Sequence, residues 1–205
     1  MTRTVQILLF DAVELLDFAG PFEVFSVAGR EGAFAVQTVA ETTAPLRTRG
    51  GLTVTPDATL EDAPSADVLV VPGGQGARTA MHREDVLDWV RDGTETATVV
   101  LSVCTGAFIL ARTGLLDGCT VTTHRDGLDR LETLAPGAAV VRDRRFVDNG
   151  AIVTAAGIAA GIDAALHVVA RLCGTEHAAA TARHMEYDSA WRSPAAPAGP
   201  SPASS

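Results

Sequence analysis

The spacing of apolar residues changes period several times along the chain, and each change marks an element. Val5 to Phe10 is a continuous apolar run of the kind buried in a sheet. A turn-rich step, Asp17-Phe18-Ala19-Gly20-Pro21, follows; Phe22, Phe25 and Val27 then share one side of a short helix with Pro21 in its first turn. Phe34 to Val39 predicts a second strand, and Leu52 to Thr55 a short one ahead of Pro56. The β-branched run of ADVLVVPGG, closed by Pro72-Gly73-Gly74, predicts a strand buried on both faces. Arg83 to Arg91 carries Val86, Leu87, Trp89 and Val90 at helical spacing. Thr98 to Val103 predicts another buried strand, followed at once by Cys104-Thr105-Gly106 and a helix through AFILARTGLL that Gly114 should stop.

Further on, Val121 begins a short strand and Leu128, Leu131 and Leu134 recur every three residues. Phe146 to Val153 predicts a hairpin around Asp148-Asn149-Gly150. Ile158, Ile162, Ala165, Leu166, Val169 and Leu172 keep a helical period to Cys173-Gly174, and a last helix runs from Glu176 towards Tyr187. Strands alternating with helices predict an α/β fold: a doubly wound, mostly parallel sheet sandwiched by helices. Residues 1–192 form one domain in this reading, and the Pro/Ala/Ser stretch 193–205 a disordered tail. Ligands of such sheets sit beyond the carboxyl ends of the strands, which selects Asp11 to Asp17, Pro72 to Gly76 and Cys104 to Gly106.

Composition narrows the function. Of 205 residues, 47% are hydrophobic and 20% charged, enough for one real core. A formal charge of −9 disfavours nucleic acid and anionic lipid as partners. The stretch Ala151 to Ala170 approaches membrane-spanning length but contains Asp163, His167, Gly157 and Gly161, so no membrane segment is expected. Cys104, Cys119 and Cys173 form no CxxC pair, which suits a reducing, cytoplasmic setting. The N-terminus reads as a first strand and not as a signal peptide.

Cys104 is the sharpest candidate. Between a buried strand and the first turn of a helix, it is forced into a tight turn at the surface of the sheet, with its thiol near amide dipoles that favour the thiolate. An inert buried cysteine is the competing reading. Gly106 removes a side chain where that turn crowds the sheet, or is a packing glycine. Thr105 either offers a hydroxyl to a substrate or starts the helix. The amides of Gly73 and Gly74 are placed to face whatever sits on Cys104. Asp17, among apolar neighbours, is either a helix cap ahead of Pro21 or a carboxylate held for proton transfer. His124, at the end of a short strand, either polarises Cys104 or serves as a structural hydrogen-bonder. His82, His167, His177 and His184 lack partners at metal-ligand spacing, and no phosphate-cradling glycine motif occurs, so neither metal nor cofactor is expected.

Through VVLSVCTGAFILARTGLLDG, together with DVLVVPGG, LLDFAGPFEVF, TTH at 122–124 and VTAAGIAAGIDAALHVV, the chain resembles the ThiJ/PfpI superfamily from about Val5 to Trp191. The resemblance implies a flavodoxin-like, class I glutamine amidotransferase-like fold. Protease-like and chaperone-type members tend to carry His after the cysteine; here it is Thr105. The Cys-Thr-Gly string with an acid in LDxxGP looks like isonitrile hydratases and like the ligand-sensing domain of AraC-type regulators. For the hydratases, the resemblance implies Cys104 as nucleophile, Asp17 as general acid and base, and Thr105 as a group holding the intermediate, with amides of Gly74 and Thr105 contributing. It also implies a homodimer and a small uncharged substrate, with Phe18 and Phe108 near the mouth. Arg125 departs from the Trp that many relatives of this branch carry after the histidine, which remodels one wall. A non-catalytic redox or ligand sensor and a glyoxalase or deglycase-like enzyme are the other readings that the superfamily implies.

Overall fold

The computed structural model of the chain describes residues 1–188; the expected tail and the last residues of the domain lie outside them. In chain order the elements are β1 (Arg3–Leu8), α1 (Leu15–Ala28), β2 (Phe34–Ala40), β3 (Leu46–Arg47), β4 (Thr53–Val54), β5 (Ala58–Thr59), β6 (Val68–Val71), α2 (Ala77–Ala80) and α3 (Glu84–Thr96). They continue as β7 (Val99–Val103), α4 (Gly106–Thr113), β8 (Thr120–Val121), α5 (Leu128–Leu134), β9 (Ala139–Val140), β10 (Phe146–Asp148), β11 (Ile152–Ala155), α6 (Ala160–Cys173) and α7 (Thr175–His184). The main sheet has seven strands in the order β10-β11-β7-β6-β1-β2-β5. All its pairings are parallel except β10 with β11. Read from β2 to β11, this is the doubly wound order in which the first strand sits inside and the winding direction reverses beside it.

The continuous apolar runs are explained by helices on both faces. Val5, Ile7, Val68, Val70, Val99, Leu101 and Val103 turn to one side, under α1, α6 and α7. Leu8, Leu69, Val71 and Val100 turn to the other, under α3, α4 and α5. Each of these side chains is at most 1% exposed, and burying one stabilises the fold by about 1.5–3 kcal/mol before entropy is counted. The predicted hairpin forms, with Phe146 opposite Ala155 and Asp148 opposite Val153. Gly114 ends α4 at φ +81°, as a left-handed stop.

The structure corrects the reading of the first helix. α1 begins at Leu15, so Asp17 to Pro21 is helical and not a turn. Asp17 is the third residue of α1 and caps nothing, and Pro21 lies inside the helix. Pro21 has no N–H for the Asp17 carbonyl four residues back, so α1 lacks that one backbone bond between its first turns. Gly20 is there for packing: a Cβ would stand 2.9 Å from Ile162 Cγ1 on α6. At the other end, α6 starts at Ala160, because Ile158 takes φ +55° and breaks the period ahead of it.

Candidate functional site

Three loops meet at the carboxyl ends of β1, β6 and β7. Val13 bridges Gly74, and the Glu14 amide donates to the Gly73 carbonyl at 2.9 Å, stitching the start of α1 to the turn after β6. Gly74 adopts φ +125°, and a Cβ there would lie 2.4 Å from the Glu14 nitrogen. Only glycine permits so close an approach in that conformation.

Cys104 sits between β7 and α4 at φ +55°, 6% exposed. Its amide donates to the carbonyls of Ala155 and Ala156, both at 3.1 Å, and its own carbonyl accepts the Thr123 hydroxyl at 2.6 Å. These contacts over-determine a conformation that costs about 1–3 kcal/mol, as strained residues at reactive sites require. Gly106 is essential to the turn, since a Cβ would stand 2.0 Å from the Val71 carbonyl oxygen.

Asp17 is fully buried. Its Oδ2 accepts the Gly73 amide at 3.1 Å, whereas Oδ1 has no hydrogen-bond partner among the described residues. Burial pushes its pKa up to about 7, against the smaller pull of the nearby Cys104 thiol and the Gly73 amide. The Cys104 thiol is pushed up to about 12, first by burial and then by the Asp17 charge; the amide and hydroxyl of Thr105 oppose this. The amide dipoles thus favour the thiolate as the sequence suggested, but they lose to desolvation, and the resting thiol is neutral.

Thr105 stands at the helix start, yet its hydroxyl caps nothing. It crosses to the neighbouring turn, accepting from the Gly74 amide at 3.0 Å and donating to the Gly74 carbonyl at 3.1 Å. The Gly73 and Gly74 amides are therefore both engaged, and the Thr105 amide is the backbone donor left facing the sulfur. His124 makes no hydrogen bond to Cys104: its Nδ1 accepts the Asp126 amide at 3.2 Å, and its ring lies against Gly157.

A recess of about 430 Å³ opens over Cys104 and Thr105. A second, of about 530 Å³, lies beyond β1 and β2 and shares only Gln75 with it, so size alone does not select the site. Phe18 and Phe108 do not line the mouth; both are buried, one on each side of the sheet. The rim is instead polar, formed by Glu14, Arg49, Gln75, Arg78, His124 and Asp126, with Ile158 the apolar exception. Glu14 and Gln75 fall within the segments that the sequence selected and His124 was singled out there, whereas Arg49, Arg78 and Asp126 were not marked, because they come from separate loops that only the fold assembles. Arg125 is exposed in an adjoining recess with Arg144 and Arg145.

A doubly wound sheet with a left-handed cysteine between strand and helix, facing a buried acid, defines a class of cysteine-elbow α/β proteins. The chain belongs to the DJ-1/PfpI family, whose model matches residues 3–171. It is 38% identical over 187 residues to an isonitrile hydratase of Pseudomonas putida, covering 91% of this chain and 79% of that one. It is 30% identical over 190 residues to the HTH-type transcriptional regulator GbdR of Pseudomonas aeruginosa, but spans only 51% of that protein. Among solved structures, a ThiJ/PfpI family protein from Pseudomonas syringae superimposes with a TM-score of 0.84 at 29% identity, covering 100% of this chain and 80% of that one.

Proposed function

We propose that the protein hydrates an isonitrile to an N-substituted formamide, R–N≡C + H₂O → R–NH–CHO, with Cys104 as nucleophile and Asp17 as general acid and base. The observation that carries this reading is a fully buried carboxyl, its pKa raised to about 7, beside a neutral elbow cysteine that has no histidine bonded to it. The 38% identity to an isonitrile hydratase supports it.

In this mechanism Cys104 Sγ bonds to the terminal carbon while its proton passes to the Asp17 carboxylate and on to the same carbon, giving the thioimidate R–N=CH–S. Asp17 then takes a proton from water as the oxygen adds to that carbon and hands it to the nitrogen, giving the adduct R–NH–CH(OH)–S–Cys104. The tetrahedral adduct collapses to the formamide as the C–S bond breaks, and Asp17 relays the adduct's hydroxyl proton to the departing sulfur, which restores the thiol. The Thr105 amide holds charge on sulfur, and its hydroxyl fixes the Gly74 turn against the elbow. The same reading places the enzyme in the cytoplasm as a homodimer.

Infrared loss of the isonitrile stretch of cyclohexyl isocyanide tests this. Cys104→Ala and Asp17→Asn are each expected to lower turnover by about 10²-fold or more. Full turnover by Cys104→Ala overturns the nucleophile. A sensor is the second reading, favoured by the match to a regulator over half its length; reversible oxidation of Cys104 without turnover of any isonitrile is its signature.

A further inference from the structure

The recess over Cys104 is polar where a plain hydrocarbon isonitrile would want apolar walls, and its charges are unevenly satisfied. Glu14 is neutralised by Arg49 at 3.0 Å. The Asp126 side chain is 82% exposed and points its charge into water. Arg78 differs from both. Its Nη1 donates to the Gly74 carbonyl at 3.3 Å, and that carbonyl also accepts the Thr105 hydroxyl. The guanidinium is thereby fixed two hydrogen bonds from the residue next to Cys104. No carboxylate pairs with it among the described residues, and this is its one hydrogen bond among them, leaving four donors in a planar fork.

Resting on the hydratase reading, we propose that the isonitrile processed at Cys104 carries a carboxylate, and that Arg78 binds that carboxylate at the mouth. A planar fork matches a carboxylate bidentately, and the recess of about 430 Å³ admits a ring-sized molecule spanning Arg78 and Cys104. The surroundings agree with an anion. The chain as a whole carries −9 and would repel one, yet in the adjoining recess Arg125 and Arg144, neither paired with a carboxylate among the described residues, outnumber the one lining carboxylate, Asp143. A cationic approach within an acidic protein focuses an anionic substrate onto the mouth.

The test compares trans-4-isocyanocyclohexanecarboxylate with its methyl ester on the full chain, by infrared loss of the isonitrile band. The carboxylate is expected to exceed the ester in kcat/KM by about tenfold or more at low salt, through KM, with the margin shrinking as salt is added. Arg78→Gln should collapse that ratio towards one, and Arg78→Glu should reverse it in favour of trans-4-isocyanocyclohexylamine. If the wild type consumes neither compound, the hydratase reading fails and this inference with it. If it consumes ester and carboxylate alike, or if Arg78→Gln slows both equally, hydration stands and Arg78 only props the Gly74 turn, which overturns the inference.

Discussion

Asp17 is held where its charge is costly. One oxygen has the Gly73 amide, the other has no hydrogen-bond partner among the described residues, and the side chain is out of water. Its folded pKa of about 7 lies above the ordinary value of 3.8, so the folded state binds the proton more tightly than the unfolded chain. Stability is then greatest at and below the ordinary pKa and falls as pH rises towards 7, levelling off above it. Asp17→Asn removes the titration while keeping an acceptor for the Gly73 amide. Thermal melts from pH 5 to pH 8 should show wild type losing ground to Asp17→Asn by about 2 kcal/mol or more. Parallel pH curves for the two proteins would mean that Asp17 is already charged at pH 5. The strain at the site has the same local character: Ala12, Cys104 and Ile158 all take positive φ without being glycine, and all three lie in the loops that converge on the acid and the thiol.

Among the elements, the junction of β7 and α4 is the least tolerant. A Cβ at Gly106 meets the carbonyl oxygens of Val71 and Pro72 at 2.0 and 2.9 Å, backbone atoms of a central strand that cannot yield. At Gly114, eight residues on, a Cβ meets nothing within 4 Å and only the left-handed φ objects. Gly106→Ala is expected to cost about 2–4 kcal/mol and Gly114→Ala about 1 kcal/mol in urea titrations. Equal costs would remove the case for a sterically locked elbow. This junction was legible in the sequence because its signals are local: a β-branched run, a cysteine, a glycine, then helical spacing. The start of α1 was not, because Gly20 and Pro21 mimic a turn, and what overrides them is contact with α6, distant in sequence. The same distinction holds for the site. Cys104, Thr105, Asp17 and the two glycines sit on recognisable segments that the fold brings together, whereas the charged rim is collected from loops with no shared pattern. Phe18 and Phe108 were misplaced because both stand in the first turns of helices, α1 and α4, whose inward sides pack into the core on the sheet.

Across the whole molecule, the edge of the sheet away from β5 is closed by the antiparallel hairpin of β10 and β11, pinned to α6 by charge. Asp148 accepts from His167 at 2.7 Å and from Arg171 at 3.1 Å, and its Oδ1 takes the Gly150 amide at 2.7 Å. Burial raises its pKa, but these partners together outweigh burial and hold it below the usual carboxylate range. That stability is present above the ordinary carboxylate pKa and is lost as pH falls through the lower, folded value. Asp148→Ala is expected to cost about 2–3 kcal/mol and to speed hydrogen exchange at Phe146 to Asp148, while isonitrile turnover stays near wild type. Unchanged exchange there would show that the hairpin is held by apolar packing alone.

Pro21, the residue least suited to a helix interior, separates two inheritances within α1. Because the Asp17 carbonyl lacks the N–H that residue 21 would offer and the start of α1 is stitched to the Gly73-Gly74 turn, the acid takes its position from the sheet as well as from the helix. A shift of α1 against the sheet therefore meets the Glu14–Gly73 bond before it parts the acid from the thiol.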